Sequence, residues 1–267
     1  MKNLFTATAT FICIVLLFSI TFLSCSSDES DDTTQEEQQE QEEMEEEIET
    51  AYDISNILSK FEGTGLSYAV NGNAVTFTTQ DLPNHTSPYW PTNNPLYEAY
   101  NGTNSNFRIN PNRISAQNIV FTISLNPEEA TNKEATPMGP IGISRNGVVF
   151  FNQYAAGGSP LTNEIDSFDQ YLGHPAGQGN YHYHIEPTYL TEQFGEGAFL
   201  GLLADGFPVY GPLENGETVT NSDLDDYHGH TGVTTDFPEG IYHYHITSED
   251  PYLNGNGFFG TPGNISR

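Results

Sequence analysis

Tyr181-His182-Tyr183-His184 begins two residues after Gly179 and is followed by Ile185; Tyr242-His243-Tyr244-His245 begins two residues after Gly240 and is followed by Ile246. The repeated word alternates with period two and is rich in aromatics, so it reads as a β-strand. Residues two apart in a strand point to the same face. His182 and His184 therefore share one face, as do His243 and His245, and the tyrosines take the other. Imidazoles at i and i+2 are rooted roughly 6–7 Å apart. Both rings can reach a single ion at metal–nitrogen distances of about 2.0–2.1 Å.

The duplication reaches back upstream. Phe168-Asp169-Gln170-Tyr171-Leu172-Gly173-His174 precedes the first word, and Leu224-Asp225-Asp226-Tyr227-His228-Gly229-His230 precedes the second. The Gly-His pairs read as turns that bring a third histidine, His174 or His230, over each strand. Of 8 histidines in the chain, all but His85 fall within the repeat at 168–185 and 224–246. Histidine titrates near neutrality and is a common metal ligand, so this concentration predicts metal binding, in one shared site or two. The competing reading is a buried Tyr/His hydrogen-bond network that holds a β-rich domain together.

The start of the chain reads as an export signal. Lys2 precedes an apolar run from Leu4 to Leu23, and Phe22-Leu23-Ser24-Cys25 closes it. Residues 1–24 are thus expected to be a signal peptide. Cys25 resembles the lipid-bearing cysteine of bacterial lipoproteins; an N-terminal transmembrane anchor is the alternative. Cys13, the other of 2 cysteines, lies inside the signal. The mature chain then has no free thiol, so a metal site must use nitrogen and oxygen ligands, and zinc-finger and iron–sulfur chemistry are excluded.

Residues 26–50 carry 13 of the 36 acidic residues and no basic one. Such a tract cannot bury a core and is expected to be a disordered tether over 25–50. It resembles signals that send lipoproteins to the cell surface. From 51 onward, 23 acidic residues stand against 6 basic ones, which makes nucleic acid a poor partner. The expected location is the outer membrane, facing the cell surface or the periplasm, through a lipid anchor on Cys25.

Residues 51–267 are expected to form one mostly-β domain, sandwich-like, with long loops and one or two short helices. Strands are predicted at Ser67–Val70, Ala74–Thr78, Ile119–Leu125, Ile141–Ser144, Gly147–Phe151 and Leu200–Leu203, besides the two histidine strands. Asn71-Gly72-Asn73 reads as a hairpin turn and Asn146-Gly147 as a second turn. A short helix is predicted around Pro187–Phe194.

A family resemblance rests on further motifs: Leu82-Pro83-Asn84-His85, Asn110-Pro111-Asn112-Arg113-Ile114, Pro140-Ile141-Gly142-Ile143, Asn146-Gly147-Val148, Gly173-His174-Pro175 and Ala204-Asp205-Gly206-Phe207-Pro208-Val209-Tyr210-Gly211-Pro212. With the two tetrapeptides, these resemble the YHYH-domain proteins over roughly 80–267. Many members carry a cysteine between the Asp and the Gly-His of each repeat; here Tyr171 and Tyr227 stand nearby. The resemblance implies the domain more than an activity.

Several other residues have two readings. Asp205 is either an Asp-Gly turn residue or a carboxylate that ligates metal or orients a histidine. Asp169 and Asp225, at equivalent places before each Gly-His, carry the same two roles. His85 is a candidate ligand from its motif, whereas His228 has Leu172 as its counterpart and ranks last. Trp90 is either a packed loop anchor or a sugar-stacking platform. No Gly-x-Ser-x-Gly, phosphate loop or His-Glu-x-x-His is present.

The resulting expectation is a surface-tethered lipoprotein that binds a transition metal, copper or zinc ahead of nickel or iron. The expected ligands are His174, His182, His184, His230, His243 and His245, with His85 and Asp205 added. Asp169, Asp225, Tyr181, Tyr183, Tyr242 and Tyr244 are expected to support them. An extracellular metalloenzyme, hydrolytic or oxidative, and an adhesion or glycan-binding domain with structural histidines remain as alternatives. An open three-ligand site would favour the enzyme and a closed four-ligand site the binding role.

Overall fold

Alternation decides the first sheet. β1 (Leu66–Asn71) and β2 (Ala74–Thr79) form a hairpin around Gly72, whose φ of 60° suits a residue without a Cβ. β2 buries Val75, Phe77 and Thr79, and β3 (Ile119–Ser124) buries Ile119, Phe121 and Ile123. With β16 (Asn264–Ser266) they make a four-stranded sheet in the order β1-β2-β3-β16. The structure, a computed structural model, describes residues 52–267. The predicted signal peptide, Cys25 and the acidic tract lie outside the described residues.

The second sheet has eight strands: β4 (Pro140–Ser144), β5 (Val149–Phe151), β8 (Gly173–Pro175), β9 (Tyr181–Tyr183), β10 (Phe199–Leu203), β11 (Pro208–Tyr210), β14 (Gly229–Gly232) and β15 (Ile241–His245). Two small hairpins stand apart from it, β6 (Tyr154–Ala155) with β7 (Ser159–Pro160) and β12 (Leu213–Glu214) with β13 (Glu217–Thr218). A short helix, α1 (Thr188–Phe194), falls where the sequence predicts one. The protein is therefore mostly β, as expected. Both sheets feed a single hydrophobic cluster in which Val75, Phe77, Phe121 and Ile123 join Ile141, Ile143, Leu200 and Leu202. Phe61 links them, lying 4.6 Å from Phe77 and 5.6 Å from Phe199, ring to ring.

The eight-stranded sheet is a duplication. Its order is β14-β15-β11-β10-β4-β5-β9-β8. In one half, β4 pairs antiparallel with β5, β5 runs parallel to β9, and β9 pairs antiparallel with β8. The other half repeats these relations with β10, β11, β15 and β14. The halves meet where β4 and β10 pair antiparallel, with Gly201 opposite Ser144, Leu202 opposite Ile143 and Leu203 opposite Gly142. Gly142-Ile143-Ser144-Arg145-Asn146-Gly147 is thus the counterpart of Gly201-Leu202-Leu203-Ala204-Asp205-Gly206. Gly147 and Gly206 turn their hairpins with φ of 87° and 88°. The sequence repeat at 168–185 and 224–246 is only the second part of each structural unit.

Candidate metal centres

The Gly-His pairs, read from the sequence as turns, instead begin strands β8 and β14, and the turn before each is built the same way. Asp169 N–H donates to Gly173 O (2.8 Å), Leu172 N–H donates to Asp169 O (3.0 Å), and Leu172 takes φ 62°. Asp225, His228 and Gly229 repeat this at 2.9 Å and 3.0 Å, with His228 at φ 73°. Glycine is required before the histidine because a Cβ on Gly173 would fall on the Tyr181 hydroxyl, and one on Gly229 on the Tyr242 hydroxyl. The turn delivers His174 opposite His182 and His230 opposite His243 in the two antiparallel ladders.

Three histidines therefore converge in each half. In the first, His182 Nε2 lies 3.1 Å from His174 Nε2 and 3.0 Å from His184 Nε2. In the second, His230 Nε2 and His243 Nε2 are 3.1 Å apart, and His245 completes the group. The pairs on the two strands thus form two clusters.

The Nε2 contact between His182 and His184 is not a hydrogen bond. His182 Nδ1 faces Asn180 O at 3.0 Å and His184 Nδ1 faces Asn152 O at 2.5 Å. A carbonyl oxygen only accepts, so each Nδ1 carries the ring proton. His174 Nδ1 meets Ser167 Oγ at 2.7 Å, and that hydroxyl also lies 2.7 Å from Glu164 O. The Nε2 atoms of His182 and His184 are bare lone pairs aimed at each other, with His174 Nε2 beside them, in a site where the residues are at most 2 % exposed. Burial also holds these rings neutral, lowering His174 to about 3 and His184 to about 4, with His182 well below its usual value. Neutral imidazoles with converging lone pairs repel unless a cation lies between them. Ligands about 2.0–2.1 Å from a tetrahedral ion sit about 3.3 Å apart, close to the separations found.

The second half follows the same plan. His243 Nδ1 donates to Ile241 O (2.9 Å) and His245 Nδ1 to Gly211 O (2.8 Å), the latter matching His184 on Asn152. His245 Nε2 is buried with no hydrogen-bond partner. Both rings are pushed below their usual pKa by burial, His245 to about 4. His230 is the open member, with a side chain 26 % exposed.

A carboxylate adjoins each trio. Glu214 Oε1 lies 3.4 Å from His230 Nε2, 3.3 Å from His243 Nε2 and 4.0 Å from His245 Nε2. Glu164 Oε1 lies 3.4 Å from His174 Nε2. Sequence reasoning misses both glutamates. Glu214 comes shortly after β11, three residues past the Gly211 carbonyl that holds His245, and that proximity to the Gly211-Pro212 motif is the signal that could have found it.

The other expected ligands lie elsewhere. His85 and Asp205 belong to neither cluster. His85 Nε2 bonds the Tyr183 hydroxyl (3.0 Å), and its Nδ1 faces Thr86 O (3.0 Å). Asp205 accepts the Tyr244 hydroxyl (2.5 Å) and the Gly260 and Phe207 amides. Asp169 and Asp225, expected beneath histidines, accept instead from Tyr181 (2.9 Å) and Tyr242 (3.0 Å). The reason is the strand pleat, which sends the tyrosines and these carboxylates to the face opposite the imidazoles. The tyrosines thus anchor the histidine strands from behind. Burial raises Asp169 and Asp205 to about 6. His228 bonds Thr247 Oγ1 (3.0 Å), away from the trio, and Trp90 donates to His85 O as a packed anchor.

A family model described as YHYH protein matches residues 120–218 and 213–257, which span both histidine clusters. The chain belongs to the YHYH family. No curated protein and no solved structure matches it. The first YHYH tetrapeptide covers β9 and the residue after it, and the second ends β15, so the tetrapeptides coincide with the convergent histidines and their tyrosine anchors.

Proposed function

We propose that the YHYH domain of this protein binds two transition-metal ions, one in each half of the eight-stranded sheet, as a metal-capturing module. The observation that carries this reading is the pair of bare Nε2 atoms of His182 and His184, 3.0 Å apart, each made bare by an Nδ1–H committed to a carbonyl oxygen. A structural Tyr/His network would pair donors with acceptors; this cluster opposes acceptors to acceptors. Imidazole and carboxylate donors without thiolate suit zinc or copper(II). Lipidation of Cys25 and the acidic tract at 26–50 would hold the module on the outer membrane, a location supported by the apolar run that ends at Cys25 and by the charge run that follows it.

Elemental analysis of protein purified without an affinity tag tests the proposal. Two equivalents of zinc or copper per chain are expected after loading and desalting. His182→Ala/His184→Ala and His243→Ala/His245→Ala should each leave one. Retention of no metal by the wild type, or of two equivalents by either double variant, would overturn it. Radiolabelled palmitate incorporation that survives Cys25→Ala would remove the anchor from the proposal.

A further inference from the structure

The two sites differ in their fourth donor, and the difference has a structural cause. Between Gly211, whose carbonyl orients His245, and Glu214 stand only Pro212 and Leu213. Glu214 is therefore held close to the strand end that fixes its histidine. Between the equivalent Asn152 and Glu164 the chain inserts the hairpin β6–β7 and a turn of 3₁₀-helix at Leu161–Asn163. Glu164 hangs at the far end of that insertion.

The consequence is visible in the donor atoms. Glu214 and the three second-half histidines each offer an atom within 4.8 Å of all the others, which admits all four to one coordination shell. The corresponding group in the first half contains His174, His182 and His184 without Glu164. Among the histidines, Glu164 approaches His174 alone. It forms one wall of a cleft of about 450 Å³ whose other walls include Ala155, Ala156, Ser159 and Thr162, all from the inserted segment. No histidine lines the cleft; Glu164 borders both it and His174.

We infer, on the basis of the two-site reading above, that the halves have diverged: the Glu214 site is a three-histidine, one-carboxylate centre, and the Glu164 site keeps one coordination position free of a protein donor. Three protein ligands and a free position characterise reactive metal sites, whereas four protein ligands characterise closed ones. The open position takes an oxygen or nitrogen donor from outside the protein, either water or a small monoanion in its place. The Glu164 carboxylate is within reach to accept a hydrogen bond from a water held there. The insertion that distinguishes the halves thus withdraws the fourth protein donor from one metal and leaves it in place at the other.

Cobalt(II) substitution followed by azide titration tests this, with the visible spectrum reporting coordination directly. Wild type loaded with two equivalents of cobalt is expected to respond to azide at one ion only. The response should vanish in His182→Ala/His184→Ala and persist in His243→Ala/His245→Ala. Glu214→Ala should open the second centre and about double the amplitude. Glu214→Gln, with circular dichroism as a check on folding, serves if the alanine variant does not fold, and should show the same gain. Azide responses at both ions or at neither, or a response that survives loss of the first-half histidines, would overturn the inference while leaving two-metal binding intact. Failure to bind cobalt at all would overturn the two-site reading itself.

Discussion

Ile143 stands opposite Leu202 at the centre of the eight-stranded sheet, and each residue is the other's counterpart in the duplicated unit. The pairing is symmetric about them: Gly142 faces Leu203 and Gly201 faces Ser144. A pseudo-twofold axis therefore passes between these two buried side chains. The two glycines let the strands approach, since a Cβ on Gly201 would meet Ile143 O and the Phe150 ring, and one on Gly142 would meet Leu202 O.

Gly201→Ala should destabilise the fold by about 1–3 kcal/mol, the usual cost of overpacking a close-packed interior. Chemical denaturation of metal-free protein measures it. A neutral effect would show that the seam is looser than its geometry implies.

Asp205→Asn separates a supporting role from a ligand role. Asp205 accepts the Tyr244 hydroxyl and two backbone amides behind the histidine strand. Loss of well-satisfied buried hydrogen bonds costs about 1–3 kcal/mol. The melting temperature should fall, yet two metal equivalents should remain after loading. Loss of one metal equivalent with unchanged melting would return Asp205 to the ligand set.

The metal-free protein should be acid-labile between about pH 6.5 and 4, the interval that runs from the ordinary histidine value down to the depressed ones. Burial lowers His85, His184, His228 and His245 to about 4 and His174 to about 3, and pushes His182 and His243 down as well. The unfolded chain takes up protons on these groups before the folded chain does, so their contribution is present above about 6.5 and is lost as pH falls. Asp169 and Asp205, raised to about 6, act in the opposite sense, with stability lost as pH rises through that value; Asp81 and Glu164 are also raised. A tenfold change in a group's proton affinity on folding is worth about 1.4 kcal/mol in either direction, and the histidines are the more numerous. A melting temperature that holds or climbs from pH 7 to pH 4.5 would contradict this balance.

Metal should stabilise the fold through mass action. A ligand at a hundredfold excess over its dissociation constant adds about 2.7 kcal/mol if it binds only the folded state. Chelation at pH 7.5 should lower the melting temperature, and zinc or copper(II) should restore it. His228→Leu, which installs the residue found at the equivalent position in the first half, should leave the metal-dependent part of the change intact. An equal loss in that variant and in His182→Ala/His184→Ala would assign the effect to general packing.

A chain beginning at Ala51 should melt at the same temperature as one beginning at Ser26, because the acidic tract has little apolar surface to bury. A drop of many degrees would mean that the tract docks on the domain.

The histidine face is legible in the sequence because strand periodicity and ligand chemistry point the same way at His182, His184, His243 and His245. His174 and His230 are legible as partners of the strands because each repeats the same Asp-to-Gly-His spacing, although they lie on strands β8 and β14 and the turn comes just before them. Glu214 and Glu164 are not, since a carboxylate in an acidic chain carries no periodic signal and their approach depends on how far the chain travels after β11 and β5. His85 and Asp205 are misplaced for a related reason: the motifs containing them are bound up with the tyrosine face, and a motif does not say which side of a strand it serves. The first part of the duplication is hidden because Gly142–Asn152 and Gly201–Gly211 share only two glycines as identities. Backbone pairing preserved what side-chain identity had lost.

The β4–β10 seam has the form of an isologous contact, in which one patch meets its own copy across a twofold axis. A single four-stranded unit would end in a bare strand edge, a template for unwanted association. Joining two units in one chain buries that edge permanently and fixes the stoichiometry at one pair. It also frees each copy from having to match the other. In a true dimer of identical subunits, any change at one metal site appears at both. Here the hairpin that displaces Glu164 could be acquired by one copy alone, so a symmetric scaffold can carry two unlike centres.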